Sequence, residues 1–348
     1  DRSRALIEGA MHLPKISTIG IISSYDAILA DLLRVIFSAK PDIVFTSDRE
    51  VKFSDLVSYG SIDLVKESII ANEIEGVLRQ SHHEQFAWME RKFTMKLREG
   101  LDIWPDFVEL CERRNLLTHT GGVVSEQYLR NCERYGRTSS SSVGDRLDVD
   151  LDYLSGAISV VTEIGYKLIH TMWRKFAPDE RERADSTLNE FGMTLIANRQ
   201  YKLADSILEF GVKQHKHSSD LIRRMMVVNL ANAAKLSGNK ERCERYLGSD
   251  DWSATSYQFQ ICVAAVRNDF AEVKKLLRLG GDVVGITSSD FRDWPVFKDA
   301  RGDSEVREVF EDVFGEPLIR PDEITSKSSM VEELSSVEEV EKKESIIH

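Results

Sequence analysis

DIWPDFVELCERRNLLTHTGG, residues 102–122, reads as a single helix whose start, apolar side and stop are all visible in the sequence. Trp104-Pro105 falls in the first turn, where proline's missing N–H and fixed φ are tolerated. Phe107, Val108, Leu110 and Cys111 supply the apolar side. Gly121-Gly122 ends the helix, because glycine readily takes the left-handed conformation that a helix C-terminus commonly needs. Inside this helix lies RNLLTH, Arg114 to His119. At about 100° per residue, Asn115 and His119 share a face, Arg114 stands one step round, and Leu116 and Leu117 point toward the core. A guanidinium, an amide and an imidazole therefore line one helix edge.

The neighbouring sequence predicts more helices. Ile22 to Phe37 carries Ile28, Leu29, Leu32, Leu33, Ile36 and Phe37 at three-and-four spacing, closed by Lys40-Pro41. Ser54-Asp55-Leu56 starts a short segment, and Ser61 caps a helix with Leu64, Ile69 and Ile70 inward. Ser81 to Leu97 continues with Phe86, Met89 and Phe93. GRTSSSSVG, 136–144, has the composition of a flexible polar connector. Asp150 to Phe176 is a long apolar helix that includes Leu151, Leu154, Ile158, Ile164, Leu168 and Met172, broken by Ala177-Pro178-Asp179.

Beyond that break the pattern changes to helix pairs. Glu180 to Ala197 and Gln200 to Val212 turn at Asn198-Arg199. Asp220 to Leu236 and Asn239 to Leu247 turn at Ser237-Gly238. Ser253 to Arg267 and Phe270 to Leu279 turn at Asn268-Asp269. Three such hairpins indicate a helical solenoid. After Gly280-Gly281, Trp294, Phe297, Val309, Phe310 and Phe314 form a terminal cap. The expected organisation is all-α: a helical domain over 1–177, repeats over 178–280, a cap over 281–319 and an acidic, disordered tail over 320–348.

Composition narrows the class. No apolar run in the 348 residues approaches the ~20 needed for a membrane span. The first residues lead into no apolar signal core, so a cytoplasmic location is the default expectation. Cys111, Cys132, Cys243 and Cys262 form no CxxC pair, which argues against a thiolate zinc site and a disulfide framework and for reduced, buried thiols. The net charge of −12 disfavours tight, nonspecific binding to long duplexes. Part of it lies in the tail, where Pro321 to His348 hold eight acids against three lysines, so a small site with local arginines remains compatible.

Other motifs carry less. His82-His83-Glu84 lacks the second histidine of HExxH and is expected on an exposed face. His215 and His217 sit in a repeat linker without acidic or thiolate neighbours. Gly121-Gly122 is too short for a phosphate loop, and Ser139 to Ser142 has no nucleophile-elbow context. No metal and no cofactor is expected.

The run ERRNLLTHTGGVVSEQYL, 112–129, resembles the HEPN superfamily, whose hallmark is Arg, a polar residue, further residues and His on a helix. The long helix DLDYLSGAISVVTEIGYKLIHTMWRKF behind it and the stretch KFSDLVSYGSIDLVKESIIANEIEGVLRQSHHEQFAWMERKF upstream look similar too, so the resemblance covers roughly the first half of the chain. NRQYKLADSIL, 198–208, resembles the turn and second helix of a tetratricopeptide repeat. The resemblance implies a metal-independent endoribonuclease that leaves 2′,3′-cyclic phosphate and 5′-hydroxyl ends, built across a homodimer, with RNA as substrate and a role in toxin or phage-defence systems. Arg114, Asn115 and His119 would be catalytic. Arg113 offers an alternative motif start with one more intervening residue, and Arg113 and Tyr128 are expected to contact substrate. A rival expectation is a non-enzymatic dimerising adaptor or RNA-binding module, with the repeats holding a protein partner. Taken alone, Arg114 and His119 would equally serve a helix C-terminus, where cations are favoured.

Overall fold

The computed structural model describes residues 2–45 and 50–318, with the backbone alone for 2–11 and 55. The expected disorder of 320–348 lies outside the described residues. The chain is all-α. Among the described residues the only extended pairing is an isolated antiparallel bridge between Val123 and Arg146. No described helix is long and apolar enough to cross a membrane. The four cysteines are free and buried, and burial pushes the Cys132 thiol up to about 11 and the Cys262 thiol up to about 12.

Two compact units divide after Ala184. The first contains α1 (Arg2–Ala39), α2 (Phe53–Tyr59), α3 (Ile62–Leu78), α4 (His82–Phe93), α5 (Trp104–His119), α6 (Glu126–Arg134) and α7 (Leu151–Phe176). Helix α1 packs on α3, α5 and α7. Its Ile22, Tyr25, Leu29, Leu33 and Phe37 meet Phe86 and Met89 of α4, Phe107 of α5, and Ile164 and Met172 of α7 in one core. Helix α1 runs back past Pro14, beyond the start suggested by its periodicity. The Thr18 hydroxyl donates to the Pro14 carbonyl at 2.9 Å within that stretch.

Helix α4 stops at Phe93, before the expected Leu97, because Thr94 turns left-handed. The backbone N–H groups of Leu97 and Arg98 instead donate to Glu90 Oε1, each at 3.0 Å. Burial works against the Glu90 charge, but these bonds and the Arg98 guanidinium hold its carboxyl below the usual value. The inward face of α3 is Val65, Ile74 and Val77, whereas Leu64 is 49% exposed. Ile158 is likewise exposed on α7. Ile69 and Ile70 do pack against the core, so on α3 only Leu64 departs from the expected face.

The boundary falls inside the next helix, Arg181–Ala197, a few residues beyond Ala177-Pro178. The Pro178–Glu180 turn is tied back onto α7, where Trp173 Nε1 donates to Glu180 Oε2 at 2.8 Å and Arg183 lies 5.8 Å from the Trp173 ring centroid.

The second unit holds most of α8 (Arg181–Ala197), followed by α9 (Tyr201–Val212), α10 (Asp220–Leu236), α11 (Lys240–Leu247), α12 (Tyr257–Arg267), α13 (Phe270–Leu277), α14 (Gly281–Val284), α15 (Ser288–Asp293) and α16 (Ser304–Phe314). The three expected helix pairs form, and left-handed residues make their turns: Arg199, Gly238 and Asn268. Glycine also permits close approach, since a Cβ on Gly211 of α9 would meet Leu188 Cδ2 at 2.5 Å and Met226 Sδ at 2.9 Å. Phe297, Val309 and Phe310 are buried in the core of this unit, and Trp294 and Phe314 pack against it.

Candidate functional site

The C-terminal end of α5 is fixed by its backbone. Thr120 N and Gly122 N both donate to the Leu116 carbonyl, at 2.9 and 3.0 Å. Gly122 has φ +90°, and a Cβ there would lie 2.7 Å from the Leu147 carbonyl oxygen. The polar connector returns to this turn: Val124 N donates to Asp145 O at 2.8 Å, Gly144 N to Val124 O at 3.0 Å, and Leu147 N to Gly122 O at 2.9 Å. Its far end is thus pinned against the motif, although its composition suggested a flexible link.

One face of α5 opens on a pocket of about 300 Å³, lined from α5 by Val108, Cys111, Glu112, Arg114 and Asn115. Residues 108, 111, 112 and 115 are three and four apart and form a single stripe. His119 continues that stripe one turn beyond Asn115. The other walls are Asp26 of α1, the α3–α4 turn, and His82 and His83 of α4. Arg114 reaches across to Asp26, with Nη2 4.0 Å from Oδ2, an ion pair outside hydrogen-bond range. Its Nε is buried with no hydrogen-bond partner among the described residues.

His82 corrects the expectation of an exposed face, being only 8% exposed. Its ring lies against Tyr25 and Phe107, and Nε2 is 3.1 Å from Asp26 Oδ1. Glu84 is accounted for by the start of α4, where its carboxylate accepts from Ser81 N at 3.0 Å and Ser81 Oγ at 2.6 Å. Those two bonds hold its carboxyl low. His83 sits 5.2 Å from the Tyr135 ring; burial lowers its pKa, Glu84 opposes, and Arg134, Arg98 and His82 add to the lowering. Burial raises the Glu112 carboxyl against the opposing effects of a hydrogen bond with Asn131 and the charges of His82 and Arg114.

Of the five residues singled out from sequence, Arg114 and Asn115 meet in the pocket. His119 is exposed at the helix end, outside the pocket lining, and no hydrogen bond or ion pair holds its ring among the described residues. Arg113 and Tyr128 lie elsewhere, around the buried Glu109. Glu109 Oε1 accepts from Arg113 Nε at 2.7 Å and from the Tyr128 hydroxyl at 2.7 Å, and Oε2 accepts from the Tyr153 hydroxyl at 2.9 Å. Arg113 also donates to the Asp148 carbonyl at 3.1 Å and lies 4.1 Å from the Tyr153 ring centroid. Tyr128 is 2% exposed, so its ring has no face for a base to stack on. The expected substrate contacts are therefore parts of the fold. Burial first, and then the Glu109 charge, raise both tyrosine hydroxyls far above the ordinary value.

Asp26 and Glu112 escaped the sequence reading, and His82 entered it only as part of an exposed histidine pair. Glu112 did carry a signal, since it lies three residues before Asn115 on the motif's own stripe. Asp26 and His82 are 56 residues apart, and no local pattern joins them. A second, larger pocket of about 370 Å³ lies in the other unit, among Met193, Ile222, Met225, Phe259 and Trp294. The charged residue on its wall, Glu190, would repel a phosphate. Among the described residues no three His, Cys, Asp or Glu side chains converge to hold a metal ion. Compared with known protein families, curated proteins and solved structures, the chain matches none.

Proposed function

We propose that the first unit is half of a HEPN-type ribonuclease site, completed by a second copy of the chain, and that the helix pairs of the second unit form a repeat module that regulates it. The observation that carries this reading is the arrangement of α5 beside the pocket. It brings Arg114 and Asn115 into a polar pocket and leaves His119 uncommitted one turn further along. Arginine suits phosphoryl oxygens because its planar fork stays charged and donates in pairs. Histidine suits proton transfer because its ordinary pKa lies near neutrality.

In the proposed reaction the RNA 2′-oxygen bonds to the adjacent phosphorus while the P–O5′ bond breaks. His119 takes the 2′-hydroxyl proton, the His119 of a second copy returns a proton to the leaving 5′-oxygen, and Arg114 stabilises the phosphorane. The products are a 2′,3′-cyclic phosphate and a 5′-hydroxyl. Two-fold pairing supplies the second imidazole. Growth arrest by RNA cleavage, as in toxin or defence systems, is the biological setting that this chemistry suits.

The test is RNA cleavage with chelator present, comparing the native chain with His119→Ala and Arg114→Ala. Each variant is expected to lose roughly 100-fold or more in rate. Equal cutting by native and His119→Ala protein overturns the reading. A second reading, a non-enzymatic adaptor, draws on the apolar side chains exposed on α2 and α3: Phe53 at 79%, and Val57 and Ile62 at 64% each. Self-association without cleavage of any RNA would favour it.

A further inference from the structure

We infer that Asp26 is the positioning residue that aims the Arg114 guanidinium, and that His82 holds Asp26 in place. The inference rests on the reading of this pocket as the RNA-cleaving site. The arrangement is a relay outward from the core of the first unit. His82 packs against the rings of Tyr25 and Phe107, at 5.9 and 5.7 Å between centroids, and is 8% exposed. Its Nε2, 3.1 Å from Asp26 Oδ1, fixes one carboxylate oxygen. The other oxygen, Oδ2, faces Arg114 Nη2 across 4.0 Å.

That separation gives Asp26 its particular use. A carboxylate at bidentate hydrogen-bond distance would occupy the fork of Arg114 and compete with a phosphate. At 4.0 Å the charge still attracts the guanidinium, while Nη2 makes no hydrogen bond to Asp26 and stays available. Nε, by contrast, is buried, and no described residue accepts from it. Glu112, the other carboxylate of the pocket, is bonded to Asn131 and so lacks that freedom to follow Arg114. Three helices, α1, α4 and α5, must therefore pack correctly before Arg114 points into the pocket.

Positioning through Asp26 predicts a loss in turnover rather than in substrate capture, because a misaimed cation still attracts RNA but fails the developing charge of the transition state. In the full-length chain, Asp26→Asn is expected to lower kcat about 10- to 100-fold with KM changed less than about 3-fold. Asp26→Glu should recover part of the loss. His82→Gln, which keeps an N–H donor, should stay near native, whereas His82→Leu should behave like Asp26→Asn. In an Arg114→Ala background Asp26→Asn should add nothing.

An independent readout is the ¹⁵N resonance of Arg114 Nε–Hε, assigned by its loss in Arg114→Lys. It is expected to be sharp in the native chain, shifted or exchange-broadened in Asp26→Asn and His82→Leu, and restored in His82→Gln. An unchanged Arg114 resonance in both Asp26→Asn and His82→Leu overturns the inference, as does a full additional loss from Asp26→Asn in the Arg114→Ala background. A native chain that cuts no RNA defeats the ribonuclease reading alone, since the resonance still decides whether Asp26 positions Arg114.

Discussion

Replacing Glu109 with alanine separates the two arginines that stand side by side at the motif. Glu109 is 4% exposed, and its carboxylate accepts three side-chain bonds, from Arg113, Tyr128 and Tyr153, joining α5 to α6 and α7. Removing it leaves the Arg113 cation, 15% exposed, without that carboxylate and strands two hydroxyls. Breaking one side of a buried ion pair costs about 3–5 kcal/mol. For a unit of this size that corresponds to a melting temperature lowered by roughly 6–20 °C. Tyr128→Phe removes one hydrogen bond to a charged acceptor and should cost about 1.5–3 kcal/mol. The assay is urea unfolding followed by hydrogen exchange on peptides of α5, α6 and α7, which reads the first unit's transition separately from that of the second. At temperatures where they remain folded, both variants should bind a non-cleavable RNA analogue as the native chain does. A loss below about 1 kcal/mol for Glu109→Ala, combined with weaker binding by folded Tyr128→Phe, would refute the assignment of Arg113 and Tyr128 to the fold.

Three further outcomes follow from the same contacts. Gly122→Ala forces a side chain onto a left-handed residue and onto the Leu147 carbonyl, so it should destabilise the first unit by about 1–3 kcal/mol, measurable by thermal unfolding. Gly211→Ala should destabilise the second unit by a similar ~1–3 kcal/mol through overpacking against Leu188 and Met226, read by exchange in α9 and α10. Glu112 supplies a pH test. Burial raises its carboxyl in the folded chain, so its contribution to stability is fully present below the unfolded value and is lost as pH rises through the folded one. Glu112→Gln should therefore melt higher than the native chain at about pH 7 and level with it near pH 4; the reverse order would contradict the raised value.

The helices of both units were legible because apolar spacing and stop signals are local properties. Gly121-Gly122, Lys40-Pro41 and the turns at Arg199, Gly238 and Asn268 all lie where the sequence punctuates the chain. Which apolar side chain of a helix is left outside is less legible, as Leu64 shows beside Ile69 and Ile70, because a broad apolar surface lets tertiary packing choose. Composition also could not show where the 136–144 connector ends: Gly144 and the residues after it are held by backbone hydrogen bonds to residues 122–124, and backbone groups are the same in every sequence.

By itself the sequence determined an all-helical chain, the helix that carries RNLLTH, and the face shared by Asn115 and His119, since these follow from residue type and helical period. Only the tertiary structure decided that Arg114 faces a pocket while Arg113, one residue earlier, is held at Glu109. Adjacent helical residues point about 100° apart, so their surroundings come from different neighbours. Asp26 reaches the site from α1 and His82 from α4, and Glu109 gathers Tyr128 and Tyr153 from α6 and α7. Such meetings depend on how helices pack, and no local spacing in one chain records them.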